Sequence, residues 1–138
     1  MAHERIQGSS RTTRQRAAVA QAVLAAANHP SADQVYDDVR RHLPSISLGT
    51  VYRVLGSLAE SGEIRVLAPS VGPRRYDRTL EPHAHIVCDR CGSVADVPVA
   101  SDPHARDMVE AATGYRVTDC DVQWTGLCPA CCRVSRAK

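Results

Sequence analysis

The sequence predicts an α+β protein built in two unlike halves, and three observations carry that reading. The first sixty residues hold three helix-length segments, two of them with capping signals and all closed by turn residues. Short strand-like stretches, separated by Pro, Gly and Asp, take over from about residue 63. Two Cys-x-x-Cys pairs, Cys88/Cys91 and Cys128/Cys131, then bracket most of what remains.

Thr13 to Ala27 is Ala-rich and free of helix breakers, which favours helix, and Asn28, His29 and Pro30 end it. Ser31 with Gln34 three residues on reads as a capping box. It opens a helix that buries Val35, Tyr36, Val39 and Leu43 before Leu43-Pro44-Ser45 breaks it. Ser47 caps a third helix whose Leu48, Val51, Leu55 and Leu58 share one stripe, and Gly62 is placed to terminate it. Three short helices with tight connections, the last amphipathic, read as a helix-turn-helix. Glu63 to Leu67 and Arg74 to Asp77, joined through Pro69, Gly72 and Pro73, read as a hairpin that makes the unit a winged helix. Residues 78–84, with Pro82, read as a hinge between a first domain over 1–77 and a small α/β domain over 85–138. In that second domain, His85 to Cys88 and Val94 to Val99 read as strands flanking a Cys-x-x-Cys-Gly turn. Pro103 to Ala112 reads as a helix ended by Gly114, and Tyr115 to Leu127 as a long strand.

With 138 residues, no Phe and one Trp, two such domains would have thin cores of Ala, Val and Leu. Small domains bury too little surface to be safely stable, so a metal staple or a dimer interface is expected to make up the shortfall. No apolar run approaches the roughly 20 residues that cross a bilayer, and Met1 to Ser10 offers no signal-peptide core. The expected location is the cytoplasm, with no membrane partner. Disulfides are rare there, so the paired cysteines read as metal ligands or redox groups. Residues 1–76 hold ten Arg against six acidic groups, and residues 77–138 hold seven basic groups against nine acidic ones. That asymmetry suits nucleic acid, and a solvated surface accounts for it equally well.

The cysteine pairs carry the strongest chemical signal. Two Cys-x-x-Cys turns complete a tetrahedral all-sulfur shell, which leaves no open position and is therefore a structural zinc site. A redox dithiol or a chance spacing are the competing readings, but a dithiol needs no second copy. The interval between the pairs exceeds the roughly 15–20 residues of a compact zinc ribbon, so a subdomain must fold between them. Cys120 reads as a small packed strand residue and Cys132 as a bystander beside a ligand. A zinc deaminase needs a His-x-Glu partner, whereas His83-Ala84-His85 has no adjacent Glu and Pro129 lies inside its pair. His83 and His85, two apart in extended chain, point the same way and can share an ion. His29, Asp77 and Asp96 would extend them to an imidazole–carboxylate set suited to Fe(II), Mn(II) or Zn(II), and the absence of thiolate favours Fe or Mn. On spacing alone only the His83/His85 pair stands out, and an ordinary packed or surface histidine is the alternative at each position.

An ordered set of segments resembles the ferric uptake regulator family: Thr13-Arg-Gln-Arg16, His29-Pro-Ser-Ala-Asp33, Gly49-Thr-Val-Tyr-Arg53 and Arg75-Tyr-Asp77. His83-Ala-His-Ile-Val-Cys88-Asp-Arg-Cys91-Gly and Gly126-Leu-Cys128-Pro-Ala-Cys131 continue it, so the match runs from about Arg11 to Cys132. The resemblance implies an N-terminal winged helix and a C-terminal α/β dimerisation domain, joined by a hinge that carries a regulatory metal. It implies His29, Asp77, His83, His85 and Asp96 as the regulatory ligands and Cys88, Cys91, Cys128 and Cys131 as the structural zinc site. It also implies Tyr52 and Arg53 as base contacts and Arg11 as a minor-groove contact, and Thr50 and Ser57 lie on the same helix face as Arg53. The implied partners are a second copy of the chain and an inverted-repeat duplex operator.

Two Asp among three His resemble the family's peroxide-sensing branch, which binds Fe(II) or Mn(II), with Zn(II) able to occupy such a site in vitro. Zinc-sensing relatives commonly have Cys where this chain has Asp77. In that branch peroxide inserts oxygen into a ligand histidine, and His29 and His83 match the positions at risk. Pro82, Ala84 and Cys120 stand where relatives with a third site place ligands, so no conventional third site is expected. The alternatives are an iron- or zinc-status regulator with the same fold and, more remotely, a small zinc enzyme or redox protein. An enzyme would need an open metal position beside a general base, and no such base stands out, so an enzyme is not expected.

Overall fold

The computed structural model describes residues 10–98 and 102–137. The segment up to Ser9, read for a signal sequence, and Val99, expected to end a strand, lie outside them. Ser10 accepts a hydrogen bond from the Thr13 amide and caps α1 (Arg11–Ala25), which starts and ends two residues earlier than the composition suggests. The chain is already extended at Ala26 (ψ 132°), which carries His29 and Pro30 back towards the hairpin. The Tyr76 amide there donates to the Pro30 carbonyl at 3.0 Å.

Both arms of the Ser31/Gln34 box form at the start of α2 (Ala32–Val39), and Ser47 caps α3 (Leu48–Glu60) through the Thr50 amide. α3 buries Val51, Val54, Leu55 and Leu58. Val54 joins the expected stripe, while Leu48, at the open first turn, is only half-buried. The antiparallel hairpin β1 (Arg65–Leu67) and β2 (Arg75–Asp77) closes the winged helix. Val19, Val23, Val35, Val39, Ile46, Ile64 and Tyr76 join the α3 side chains in one continuous core, with Tyr36 and Leu43 packed at its margin.

The second half comprises β3 (Ala84–Cys88), β4 (Val94–Val97), α4 (Pro103–Thr113), β5 (Val122–Gly126) and α5 (Pro129–Arg136). β3 lies between β4, antiparallel, and β5, parallel. Gly114 in the left-handed conformation (φ 74°) ends α4 as the sequence indicates. The long strand expected over Tyr115–Leu127 is cut to β5, because β3 offers only five pairing positions, from Ala84 opposite Val122 to Cys88 opposite Gly126. Tyr115 is 77% exposed, and Cys120, expected to pack within that strand, lies outside it and is exposed. Helix α5 was not anticipated, although a capping Cys128 followed by Pro129 is a recognisable start signal.

The two halves are held together differently. Among the described residues, the buried side chains from β3 onward are Ala84, His85, Val87, Cys88 and Cys131, and α4 buries none while exposing Met108 and Val109. No helix among the described residues is long and apolar enough to cross a membrane.

Because Leu55 is fully buried at the centre of the winged-helix core, Leu55→Ala should destabilise that half by about 2–5 kcal/mol. Urea denaturation followed by far-ultraviolet circular dichroism checks this, and a loss below about 1 kcal/mol would mean that the core tolerates the cavity.

Candidate metal centres

The pairing of β3 builds both clusters of metal-binding side chains. Antiparallel register sets Asp96 of β4 directly across from His85 of β3. His83 precedes that strand by one residue and His85 lies on it, so both imidazoles emerge on one side, with ring centroids 4.2 Å apart. From the winged helix come His29, in the turn between α1 and α2, and Asp77, at the end of β2. These two are already joined within their own half by the Tyr76–Pro30 hydrogen bond. Arg75 adds a second tie, donating to the His29 carbonyl at 3.4 Å and to Gln34 Oε1 at 3.2 Å.

The three Nε2 atoms lie 2.9–3.4 Å from Asp77 Oδ2 and 3.0–3.4 Å from Asp96 Oδ1. Adjacent N and O ligands at about 2.1 Å from one ion lie about 3 Å apart when they subtend a right angle, so the set fits a single first-row cation. His83 Nε2 is buried and makes no hydrogen bond although a carboxylate oxygen is 2.9 Å away, which suits a lone pair directed at a centre shared with the other ligands. Its Nδ1 lies 2.7 Å from the Glu81 carbonyl, the outer contact that fixes the tautomer of a ligating histidine. The Nδ1 atoms of His29 and His85 are buried and find no partner among the described residues.

Electrostatics prepares the cluster for a cation. Burial pushes the Asp77 carboxyl up, but the Thr79 amide, the His85 ring and the imidazoles of His29 and His83 outweigh it and hold Asp77 below the usual carboxylate range. Burial pulls His83 down, and the Glu81 carbonyl with the carboxylates of Asp77 and Asp96 more than restores it. Both shifts favour the charged forms, and the carboxylates that contribute to the second are the groups that would attract a cation.

The second cluster joins the end of β3 to the start of α5. Parallel pairing places Cys88 opposite Gly126, and the Asp89 amide donates to the Gly126 carbonyl at 2.8 Å, which brings Cys128 to the Cys88–Cys91 turn. The four sulfurs all lie within 4.8 Å of one another. Sulfurs tetrahedral about zinc at about 2.3 Å are about 3.8 Å apart, and Cys91 Sγ to Cys128 Sγ is 3.7 Å. Hydrogen bonds from backbone amides, Cys128 and Cys91 first, lower the Cys88 thiol to about 6, whereas its contact with Cys128 and burial push Cys131 up to about 12. Four thiolates cannot share this space without a cation. Cys132 Sγ points instead to the Leu127 carbonyl, and Cys120 is in neither cluster.

The residues expected to meet nucleic acid lie apart from both clusters. On α3, Tyr52 (49% exposed) and Arg53 face outward and Thr50 is half-buried. Arg11 is exposed at the start of α1. Ser57 is engaged within the fold: its hydroxyl accepts from Arg16 at 2.8 Å, and Arg16 also pairs with Glu63. This brace ties α1 and α3 to the turn before the first wing strand; Arg16 and Arg75 stand in the segments that carry the resemblance, but an arginine gives no local signal of its tertiary partners.

The model of the "Ferric uptake regulator family" matches residues 7–125. The transcriptional regulator FurA of Mycobacterium tuberculosis is 39% identical over 124 residues, covering 88% of this chain and 82% of the relative. The peroxide operon regulator of Bacillus subtilis is 28% identical over 121 residues, covering 88% and 83%. Among solved structures, the Campylobacter jejuni peroxide stress regulator superposes with a TM-score of 0.75 at 30% identity, covering 87% of this chain and 90% of that one. With the family model spanning most of its length, the chain belongs to the ferric uptake regulator family.

Proposed function

We propose that the protein is a homodimeric, metal-dependent transcriptional repressor whose regulatory ion, Fe(II) or Mn(II), is held by His29, Asp77, His83, His85 and Asp96, and which responds to peroxide. The observation that carries this reading is the convergence of those five side chains from both halves of the chain on one centre. Residues 1–77 form the DNA-binding domain in this reading, 78–84 the hinge and 85–138 the dimerisation domain, working in the cytoplasm. Zinc held by Cys88, Cys91, Cys128 and Cys131 has a structural role. A second copy accounts for the exposed apolar side chains of the C-terminal half, Met108, Val109, Tyr115 and Trp124 among them, and for the free edge of β5.

The ligands do the regulatory work by their placement. His29 and Asp77 ride on the winged helix, and His83, His85 and Asp96 on the hinge and sheet. Only when the two halves close do their donor atoms fall within bonding range of one ion, so a ligand that binds this form more tightly shifts the population towards it. In a closed dimer the two α3 helices present Arg53, Tyr52 and Thr50 to successive half-sites of a duplex, with Arg11 reaching the backbone or minor groove. Fe(II) held there would supply reductive cleavage of peroxide beside the imidazoles, one peroxide oxygen adding to a ring carbon and the other leaving as water, and Mn(II) would not. An oxidised His29 or His83 is a poorer donor, so the halves separate and the DNA is released. The all-nitrogen and oxygen donor set and the similarity to peroxide regulators support this over iron- or zinc-status sensing.

Three outcomes test the reading. Cys91→Ser should yield protein that lacks zinc and no longer sediments as a dimer, and a folded, dimeric, zinc-free variant would remove the structural role. Arg53→Ala should weaken binding to a selected duplex by about 1–3 kcal/mol while leaving random duplex little affected in a fluorescence-anisotropy titration. An equal loss on both would make Arg53 a phosphate contact. Brief peroxide treatment of the Fe(II)-loaded protein should add about 16 Da, one oxygen as in other side-chain oxidations, to peptides carrying His29 or His83, and Mn(II)-loaded protein should stay unmodified. Intact histidines with undiminished DNA binding would favour plain metal-status regulation.

A further inference from the structure

The tip of the wing rests on the cysteine turn. A Cβ added at Gly92 would lie deep inside the van der Waals envelope of the Val71 carbonyl oxygen, 2.9 Å from its carbon and 3.4 Å from Gly72 Cα. From the other side, a Cβ at Gly72 would lie 3.6 Å from the Cys91 carbonyl oxygen and 3.7 Å from Gly92 Cα. Backbone therefore meets backbone, with no side chain between the Pro/Gly loop of the hairpin and the Cys88–Gly92 turn. Gly92 also has φ +71°, so local turn geometry alone already favours glycine. That requirement does not account for the contact with Val71, which lies on the winged helix and 21 positions earlier in the chain.

We propose that the Cys88–Gly92 turn is the seat of the wing, and that Gly92 is a positioning residue for the DNA-binding half. Missing only a Cβ, it lets the wing tip dock on the cysteine centre. The wing seat then forms a second point of attachment between the halves, beside the hinge ligands. Two attachments fix an orientation where one leaves a pivot. The proposal rests on the reading of the hinge cluster as a regulatory site, and it adds a consequence for it. The seat and the regulatory ion favour the same closed form, so each strengthens the other by linkage, and crowding the seat lowers the affinity for an ion bound at a distance.

The decisive experiment is a double-mutant cycle in the full-length, zinc-loaded protein, titrated with Mn(II) by calorimetry. Gly92→Asn introduces a Cβ while keeping a residue that tolerates the left-handed region. Deletion of Val71 and Gly72 withdraws the wing from the seat. Gly92→Asn should weaken Mn(II) binding by about tenfold, within the usual span of coupling between sites, in the full-length wing, and should cost nothing further in the shortened one. Equal losses in both backgrounds would mean that the substitution damages the turn itself, and no loss in either would mean that the contact couples nothing. Both overturn the proposal. If the wild-type protein takes up no Mn(II), the regulatory reading fails instead. The seat is then decided by amide hydrogen exchange over residues 68–74, faster in Gly92→Asn than in wild type if the wing is seated and unchanged if it is not.

Discussion

Nine side chains able to bind metal are gathered into two clusters, and several of them are buried. Desolvating carboxylates, imidazoles and thiolates at such separations is unfavourable unless positive charge is placed among them. Protons can supply part of it, and the response of the groups shows how: Asp77 is held ionised, His83 is drawn towards its charged form, and Cys131 is pushed up to about 12 beside a Cys88 lowered to about 6. A divalent cation does the same without leaving one group of each cluster neutral. The C-terminal half depends on this more than the winged helix does, because three of the five buried side chains among its described residues, His85, Cys88 and Cys131, belong to the clusters. Its other two buried side chains are Ala84 and Val87, while Met108, Val109, Tyr115 and Trp124 are exposed, so the clusters stand where most of a hydrophobic core would be.

Strand β3 links the two centres. His83 and His85 stand at its start and Cys88 at its end, and three residues of extended chain span about 10 Å. Its antiparallel neighbour delivers Asp96 to one centre, and its parallel neighbour leads into Cys128 at the other. A hydrogen-bonded strand does not stretch, so the hinge ligands and the cysteine turn keep a fixed separation. Two places where the winged helix meets the second half, the His29 and Asp77 pair at the imidazole cluster and the wing tip at Gly92, are therefore spaced by the sheet.

Much of this was legible in the chain because the signals were local. The Ser31/Gln34 box, the α3 stripe, the Gly114 cap and the two Cys-x-x-Cys turns each depend on residues a few positions apart, and all appear in the structure. The spacing of His83 and His85 showed a pair, but joining His29, Asp77 and Asp96 to it needed the family resemblance, since their meeting depends on how the two halves dock. What was missed is long-range. The extent of β5 is set by the length of β3 and not by the local sequence of Tyr115 to Leu127, so the strand is shorter than that stretch predicts and Cys120 lies exposed outside it. Arg16, Arg75 and the wing contact of Gly92 have partners 41 or more, 46 and 21 positions away, beyond the reach of any local pattern.

The internal ties of the winged helix bear on how an ion acts here. Arg75 and the Tyr76 amide bind the His29–Pro30 turn to the strand that carries Asp77, and the register of β3 and β4 fixes His85 against Asp96. Each half therefore presents a preformed part of the ligand set, positioned by backbone hydrogen bonds that do not depend on the other half. An ion has no loop to order on arrival, and the entropy of ordering one is not lost. Most of the free energy of binding is then available to bring two rigid bodies into one orientation. This is the condition under which a small ion can move a large domain equilibrium, because only the difference in its affinity for the open and closed forms counts. In the proposed reading an open form would offer it two incomplete sites, one with His29 and Asp77 and one with His83, His85 and Asp96, and the arrangement seen here a single complete one.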